Sequence, residues 1–262
     1  MDLYAVAGNP IEHSKSPLIH SMFADQTGER LIYEKVAVPV EEFEGFVSRF
    51  FGDKQGKGLN VTVPFKEQAW ALCDSRTERA ELAGAVNTLY LGEDGELLGD
   101  NTDGVGLVND LLRQGVTLKN KKILIVGAGG AVRGVLQPIL KEQPAQLCIC
   151  NRTVSKAQAL SKLMLGLGQI EAGAFEDFTD NYDIVINGTS ASLSGELPPL
   201  SDSIIGAETV CYDMMYSAEE TTFNHWARQQ GASRVIDGLG MLVGQAAEAF
   251  YVWRGVMPQT ES

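Results

Sequence analysis

Residues 123–131 read Ile123-Leu124-Ile125-Val126-Gly127-Ala128-Gly129-Gly130-Ala131, an apolar run that breaks into glycines and resumes in a helix-like segment. A run that is apolar at every position suits a strand of a parallel sheet covered on both faces. Gly127 permits the tight turn, and Gly129 lets the backbone approach a pyrophosphate. The amides and dipole of the following helix then favour the negative charge. Val132 takes the place of the third glycine in the usual GxGxxG pattern. The motif by itself therefore also admits a plain structural turn.

The surroundings favour a nucleotide site. After residue 122 the chain alternates apolar strands with helices: ILIVG, QLCIC, DIVING, VCYDMMY and RVIDG follow in turn. This is the pattern of a doubly wound parallel sheet, in which ligands sit beyond the carboxyl ends of the strands. Asn151, Arg152 and Thr153 stand after the second of these strands, where an NAD site carries an acid for the ribose 2′-hydroxyl. A guanidinium there matches a 2′-phosphate instead, which argues for NADP. Lys156 lies one helical turn on and adds charge. Thr189 and Met214 follow the next two strands and are placed to line the same groove, although a methionine in such a run also suits a core.

The earlier half alternates strand and helix as well, with a strand pair around the turn signal Glu93-Asp94-Gly95. The fold class read from this is α/β, with two α/β domains of which the second is Rossmann-like and doubly wound. The expected division is residues 1–103, then 104–237, then a C-terminal helical segment, 238–262, that returns to the first domain. The last residues, 258–262, are expected to fray.

Three polar clusters in the first domain exceed what a scaffold needs. In Asn9–Pro17, Ser16 before Pro17 reads as a helix N-cap, whereas Ser14 has no evident structural duty. In Asn60–Lys66, strand alternation puts Asn60 and Thr62 on one face, and Lys66 lies just past the strand end. In the third, Asn87 and Asp103 frame the strand pair. Asp103 and Thr102 serve either as caps of the next helix or as site residues.

The segments Asn9–Pro17, Asn60–Lys66, Ala83–Leu89, Gly99–Gly104, Val126–Ala131, Asn151–Thr153 and Asp237–Ala246, in this order and spacing, resemble the shikimate dehydrogenase family over nearly the whole chain. The resemblance implies reversible NADP-dependent reduction of 3-dehydroshikimate to shikimate. It implies that Ser14 and Ser16 bind the carboxylate and that Thr62, Asn87 and Gln245 bind ring hydroxyls, together with Lys66 and Asp103. Lys66, paired with Asp103, would be the acid/base group, and Tyr216 would sit near the substrate. Gly127, Ala128, Gly129, Gly130 and Ala131 would hold the pyrophosphate. Asn151, Arg152, Thr153 and Lys156 would face the 2′-phosphate, with Thr189, Met214 and Gly238 lining the cofactor. Glu78 falls at a proposed cofactor contact. Lys156 replaces a common second arginine, and Gly244 a common alanine whose absence is expected to matter little.

Composition sets the outer limits. The formal net charge of −13 opposes nucleic acid and anionic membranes as partners, so anionic ligands need local positive sites. The chain has no 18-residue apolar run and no signal-peptide pattern at its start, which reads as cytoplasmic. Four cysteines without a CxxC pair and three histidines give no metal-site pattern, and reduced buried thiols are expected. A small-molecule substrate and a monomer or homodimer complete the reading.

Overall fold

The computed structural model describes residues 1–260. The chain forms two compact units, one comprising Met1–Gly106 with the segment from Val243 onward, the other Leu107–Leu242.

The first unit carries β1 (Asp2–Gly8), α1 (Ser16–Thr27), β2 (Leu31–Ala37), α2 (Phe43–Phe51), β3 (Gly58–Val61), α3 (Lys66–Leu72), β4 (Ser75–Arg76), α4 (Glu78–Ala83), β5 (Thr88–Leu91) and β6 (Leu97–Asp100). Its sheet runs β2-β1-β3-β5-β6-β4. β1 lies parallel to β2 and β3, while β5 is antiparallel to both β3 and β6. The core is built by Phe43, Phe46, Val47 and Phe50 of α2, which recur at helical spacing and pack with Ala5, Leu59 and Phe65. The two-residue β4 has too short a run to be seen in the sequence.

α5 (Asp103–Arg113) contains the first border between units. The second unit continues with β7 (Lys122–Val126), α6 (Gly130–Lys141), β8 (Gln146–Cys150), α7 (Val154–Leu163), β9 (Glu171–Gly173), β10 (Ile184–Asn187), β11 (Val210–Asp213), α8 (Thr222–Gln229) and β12 (Arg234–Ile236). The sheet order is β12-β11-β10-β7-β8-β9, and every pairing is parallel. This is the Rossmann order, with its switch point between β7 and β10. The sheet is buried on both faces, as its unbroken apolar strands require: Ile123 to Val126 are fully buried, as are Cys148 to Cys150.

α9 (Leu239–Arg254) contains the second border and lies inside the expected C-terminal segment 238–262. From Val243 onward it packs within the first unit: Trp253 Nε1 donates to the Leu89 carbonyl at 3.2 Å. The expected fraying at residues 258–262 is not seen as far as the described residues reach. Pro258 is buried, and Gln259 exchanges two hydrogen bonds with Gln26, at 2.7 and 3.2 Å. Residues 261 and 262 lie outside the described residues.

Candidate active site

In the first unit the strand ends and helix starts gather a polar cluster. Lys66 opens α3 and Asp103 opens α5, where helix amide groups favour a carboxylate. Lys66 Nζ donates to Asp103 Oδ2 at 2.6 Å. Asn87, just ahead of β5, donates through Nδ2 to Asp103 Oδ1 at 2.9 Å and to Gln245 Oε1 at 3.2 Å. The side chains of Lys66 and Asp103 keep 29% and 16% of their surface exposed, so the pair is sheltered yet open to a ligand. An ammonium, a carboxylate and two carboxamides converge here, a set that can bind hydroxyls and pass a proton.

Asp103 is not a side-chain cap, because its carboxylate is engaged by Lys66 and Asn87. Asn101 takes that place, its Oδ1 accepting from the Asp103 amide at 3.1 Å. Ser16 is not an N-cap either. α1 begins at Ser16 itself, and the preceding Lys15 already has helical backbone angles. That conformation places Ser14 within reach instead: its Oγ accepts from the Ser16 amide at 3.3 Å, the structural duty that the sequence did not reveal. The Ser16 side chain is buried.

β3 stops at Val61, so Thr62 lies beyond it and strand alternation no longer governs its direction. Thr62 packs close over Gly8, where a Cβ would come within 2.5 Å of its methyl group. Asn60 is buried inside a network. It accepts from Tyr33 Oη at 2.7 Å and donates to the Asn87 carbonyl at 3.1 Å and to Thr88 Oγ1 at 3.2 Å. Arg79 is a further support without a local sequence signal. Its guanidinium grips Asp100 with two bonds, at 2.7 and 2.6 Å, and reaches Glu248 on α9 at 3.0 Å. Burial opposes ionisation of both partners, but their mutual bonds win, lowering the Asp100 pKa and raising that of Arg79. Gly244 matters more than expected, since a Cβ there would lie 2.8 Å from the Gly106 carbonyl oxygen. Glu78 is the first residue of α4, in this unit, just after the capping Thr77.

In the second unit the C-terminal strand ends form the other cluster. Gly127 follows β7 with φ +108°, a conformation that favours glycine. It faces Thr189 across the switch point, where a Cβ on Gly127 would approach the Thr189 methyl to 3.0 Å. The valine at the third glycine position is accommodated by Gly188. A Cβ there would sit 2.3 Å from Val132, so the room for Val132 comes from β10's neighbour rather than from α6.

Gly129 caps α6, and a Cβ at Gly129 or Gly130 would meet nothing within 4 Å. With Ala131 they are exposed, leaving an open cradle of backbone at a 12-residue helix start, which fits a dinucleotide diphosphate. Arg152 and Lys156 are exposed, and among the described residues neither has a carboxylate partner. Two uncommitted cations on so acidic a chain fit a phosphate. Asn151 and Thr153 share this turn, Asn151 Nδ2 donating to the Thr153 carbonyl at 2.9 Å.

Thr189 is oriented by Asn187, to whose Oδ1 its hydroxyl donates at 2.8 Å, and Asn187 in turn donates to the buried Asp213 at 2.9 Å. Met214 is 6% exposed. Gly238 is required beside it, since a Cβ would come within 2.2 Å of the Met214 carbonyl oxygen. Tyr216 is half-buried in this unit, and burial raises its pKa.

The chain matches the family descriptions "Shikimate dehydrogenase substrate binding domain" over residues 6–89, "Shikimate / quinate 5-dehydrogenase" over 110–194 and "Shikimate 5'-dehydrogenase C-terminal domain" over 238–262. It is 59% identical over 266 residues to a shikimate dehydrogenase (NADP(+)) from Marinobacter nauticus, covering 100% of this chain and 96% of that protein. Among solved structures, an Ael1 enzyme from Pseudomonas putida is 45% identical with a TM-score of 0.95, covering 99% of this chain and 96% of the other. Shikimate 5-dehydrogenase from Thermus thermophilus, in complex with NADP(H) and shikimate, is 32% identical with a TM-score of 0.87 over 99% of this chain and 96% of its own.

Proposed function

The chain belongs to the shikimate dehydrogenase family, and from that membership we propose that it is an NADP-dependent oxidoreductase that interconverts 3-dehydroshikimate and shikimate. The observation that carries the chemistry is the Lys66–Asp103 pair at 2.6 Å, sheltered but not sealed.

Reduced NADP, when bound, supplies the hydride. The chain's own residues do the rest. A ketone that accepts a hydride becomes an alkoxide and needs a proton at that oxygen. The Lys66 ammonium delivers it, and in the reverse direction the free amine removes it from the alcohol. Asp103 orients the ammonium and accepts from the hydroxyl, and its other oxygen is already held by Asn87. Asn87, Gln245 and Thr62 bind ring hydroxyls, and Ser14 and Ser16 the carboxylate. Tyr216 belongs to the substrate-binding set. Gly127 to Ala131 hold the diphosphate on backbone amides, and Arg152 with Asn151, Thr153 and Lys156 takes the 2′-phosphate. Thr189, Met214 and Gly238 line the cofactor. The working form is a monomer or homodimer in the cytoplasm. None of the helices is long and apolar enough to cross a membrane, among the described residues.

Absorbance at the nicotinamide band, crossing shikimate and quinate against NADP and NAD, tests this reading. Fast reduction of NADP by shikimate alone is expected. Preferred use of quinate with NAD would overturn both the substrate and the cofactor assignment.

A further inference from the structure

Thr102 stands among the residues assigned to the substrate but has no role in the reading above. It is fully buried. Its hydroxyl accepts from Asn87 Nδ2 at 2.9 Å and donates to the main-chain carbonyl of Gln245 at 2.9 Å. The hydroxyl has a single hydrogen, and Asn87 Oδ1 is farther away, at 3.3 Å, so Gln245 receives it.

The Thr102 backbone amide donates to Asn87 Oδ1 at 2.9 Å, and the Thr88 hydroxyl donates to the same oxygen at 2.8 Å. A backbone N–H can only donate, so the carboxamide of Asn87 has one permitted orientation. Its amino group must then face Thr102 Oγ1, Asp103 and Gln245, three acceptors that share two hydrogens, with Gln245 the longest at 3.2 Å. Gln245 itself lies on α9, 143 residues along the chain from Thr102. Local sequence cannot fix its distance from Asn87. The Thr102 hydroxyl does so by tying the Gln245 backbone to the segment that also orients Asn87. The acid/base pair does not depend on this tie, because the Asp103 amide is held by Asn101 and its carboxylate by Lys66 and Asn87.

We propose that Thr102 is a positioning residue for substrate recognition: its hydroxyl holds Gln245 against Asn87, so that the two carboxamides present one preorganised surface to the ring hydroxyls. The inference rests on the functional reading above. Wild-type turnover of shikimate with NADP tests that reading separately, and the variants test the positioning against it.

Thr102→Val keeps the shape and removes the hydroxyl, whereas Thr102→Ser keeps the hydroxyl. Thr102→Val is expected to raise the shikimate KM, and the calorimetric Kd, about tenfold, the size of one or two lost hydrogen bonds. The kcat and the NADP KM should stay within about twofold of wild type, and Thr102→Ser should restore the KM to within about twofold. Thr102→Ala, which leaves room rather than strain, is the second hydroxyl-free variant and carries the same expectation. A wild-type shikimate KM in both hydroxyl-free variants, or a loss in kcat with KM unchanged, overturns the proposal. So does a serine variant as impaired as the valine one.

Discussion

At the residue scale, the most informative side chains are those whose environment conflicts with their chemistry. His20 is fully buried among Phe23, Tyr33, Phe250 and Trp253, stacked on Tyr33 at 4.2 Å. Among the described residues neither ring nitrogen has a hydrogen-bond partner of good geometry, and burial pushes its pKa down to about 3, opposed by Asn60. The folded state thus refuses a proton that the unfolded chain accepts near pH 6.5. Stability from this site is fully present above pH 6.5 and falls as the pH drops toward 3, by at most about 1.4 kcal/mol per pH unit. His20→Phe should flatten that part of the acid unfolding curve, read by urea titration at several pH values; an unchanged slope would assign the acid sensitivity elsewhere. Arg152 is the opposite case, an exposed cation without an acidic partner among the described residues. Arg152→Ala should weaken NADP by about tenfold or more and NAD by less than about threefold, measured by fluorescence titration. Equal losses would remove Arg152 from 2′-phosphate recognition. Lys66, Asn87 and Asp103 are legible in the sequence because each stands where a strand or helix begins. The duty of Ser14 is not, because it depends on Lys15 adopting helical angles. The Arg79–Glu248 bond joins residues 169 apart, and no local pattern records it.

At the scale of elements, the strand-turn-helix β7–α6 is the part most fully readable from sequence. Four apolar residues, a glycine with positive φ and a helix start follow from composition and sterics alone. The edges are less readable. β9 has three residues, and Thr62 falls just outside a strand that alternation would extend over it. The Val132 departure from the glycine pattern becomes intelligible only when Gly188 is seen beside it. The cradle itself can be tested without disturbing the fold. A Cβ on Gly129 meets nothing, and the backbone there, φ −86° and ψ −178°, is open to alanine. Gly129→Ala should therefore leave stability within about 0.5 kcal/mol of wild type by chemical denaturation. It should weaken NADP binding strongly while leaving shikimate affinity intact. Undiminished NADP binding would place the diphosphate elsewhere.

At the scale of the whole molecule, the proposed function gives each unit its own half of the chemistry, an acid/base and hydroxyl-binding cluster in the first and a nucleotide cradle in the second. The alternation of strands and helices makes both units legible, as does the glycine turn. The C-terminal segment from Val243 onward belongs to the first unit and is tied there by bonds such as Trp253 to Leu89, which no local pattern records. The thiols report on the integrity of both units. All four cysteines are buried, and burial pushes Cys73 and Cys148 up to about 11 and Cys150 and Cys211 up to about 12. A chromogenic disulfide reagent at pH 8 should label none of them quickly in the native protein and all four after denaturation. Rapid native labelling would mean that a core opens locally. The central claim, that the Lys66 ammonium exchanges the proton while its neighbours bind the ring, is tested most directly by Lys66→Ala, measured for NADP-linked turnover and for shikimate affinity. The account predicts turnover lower by about a hundredfold or more with affinity changed by less than about tenfold. Near-normal turnover would contradict it and remove Lys66 from the proton transfer.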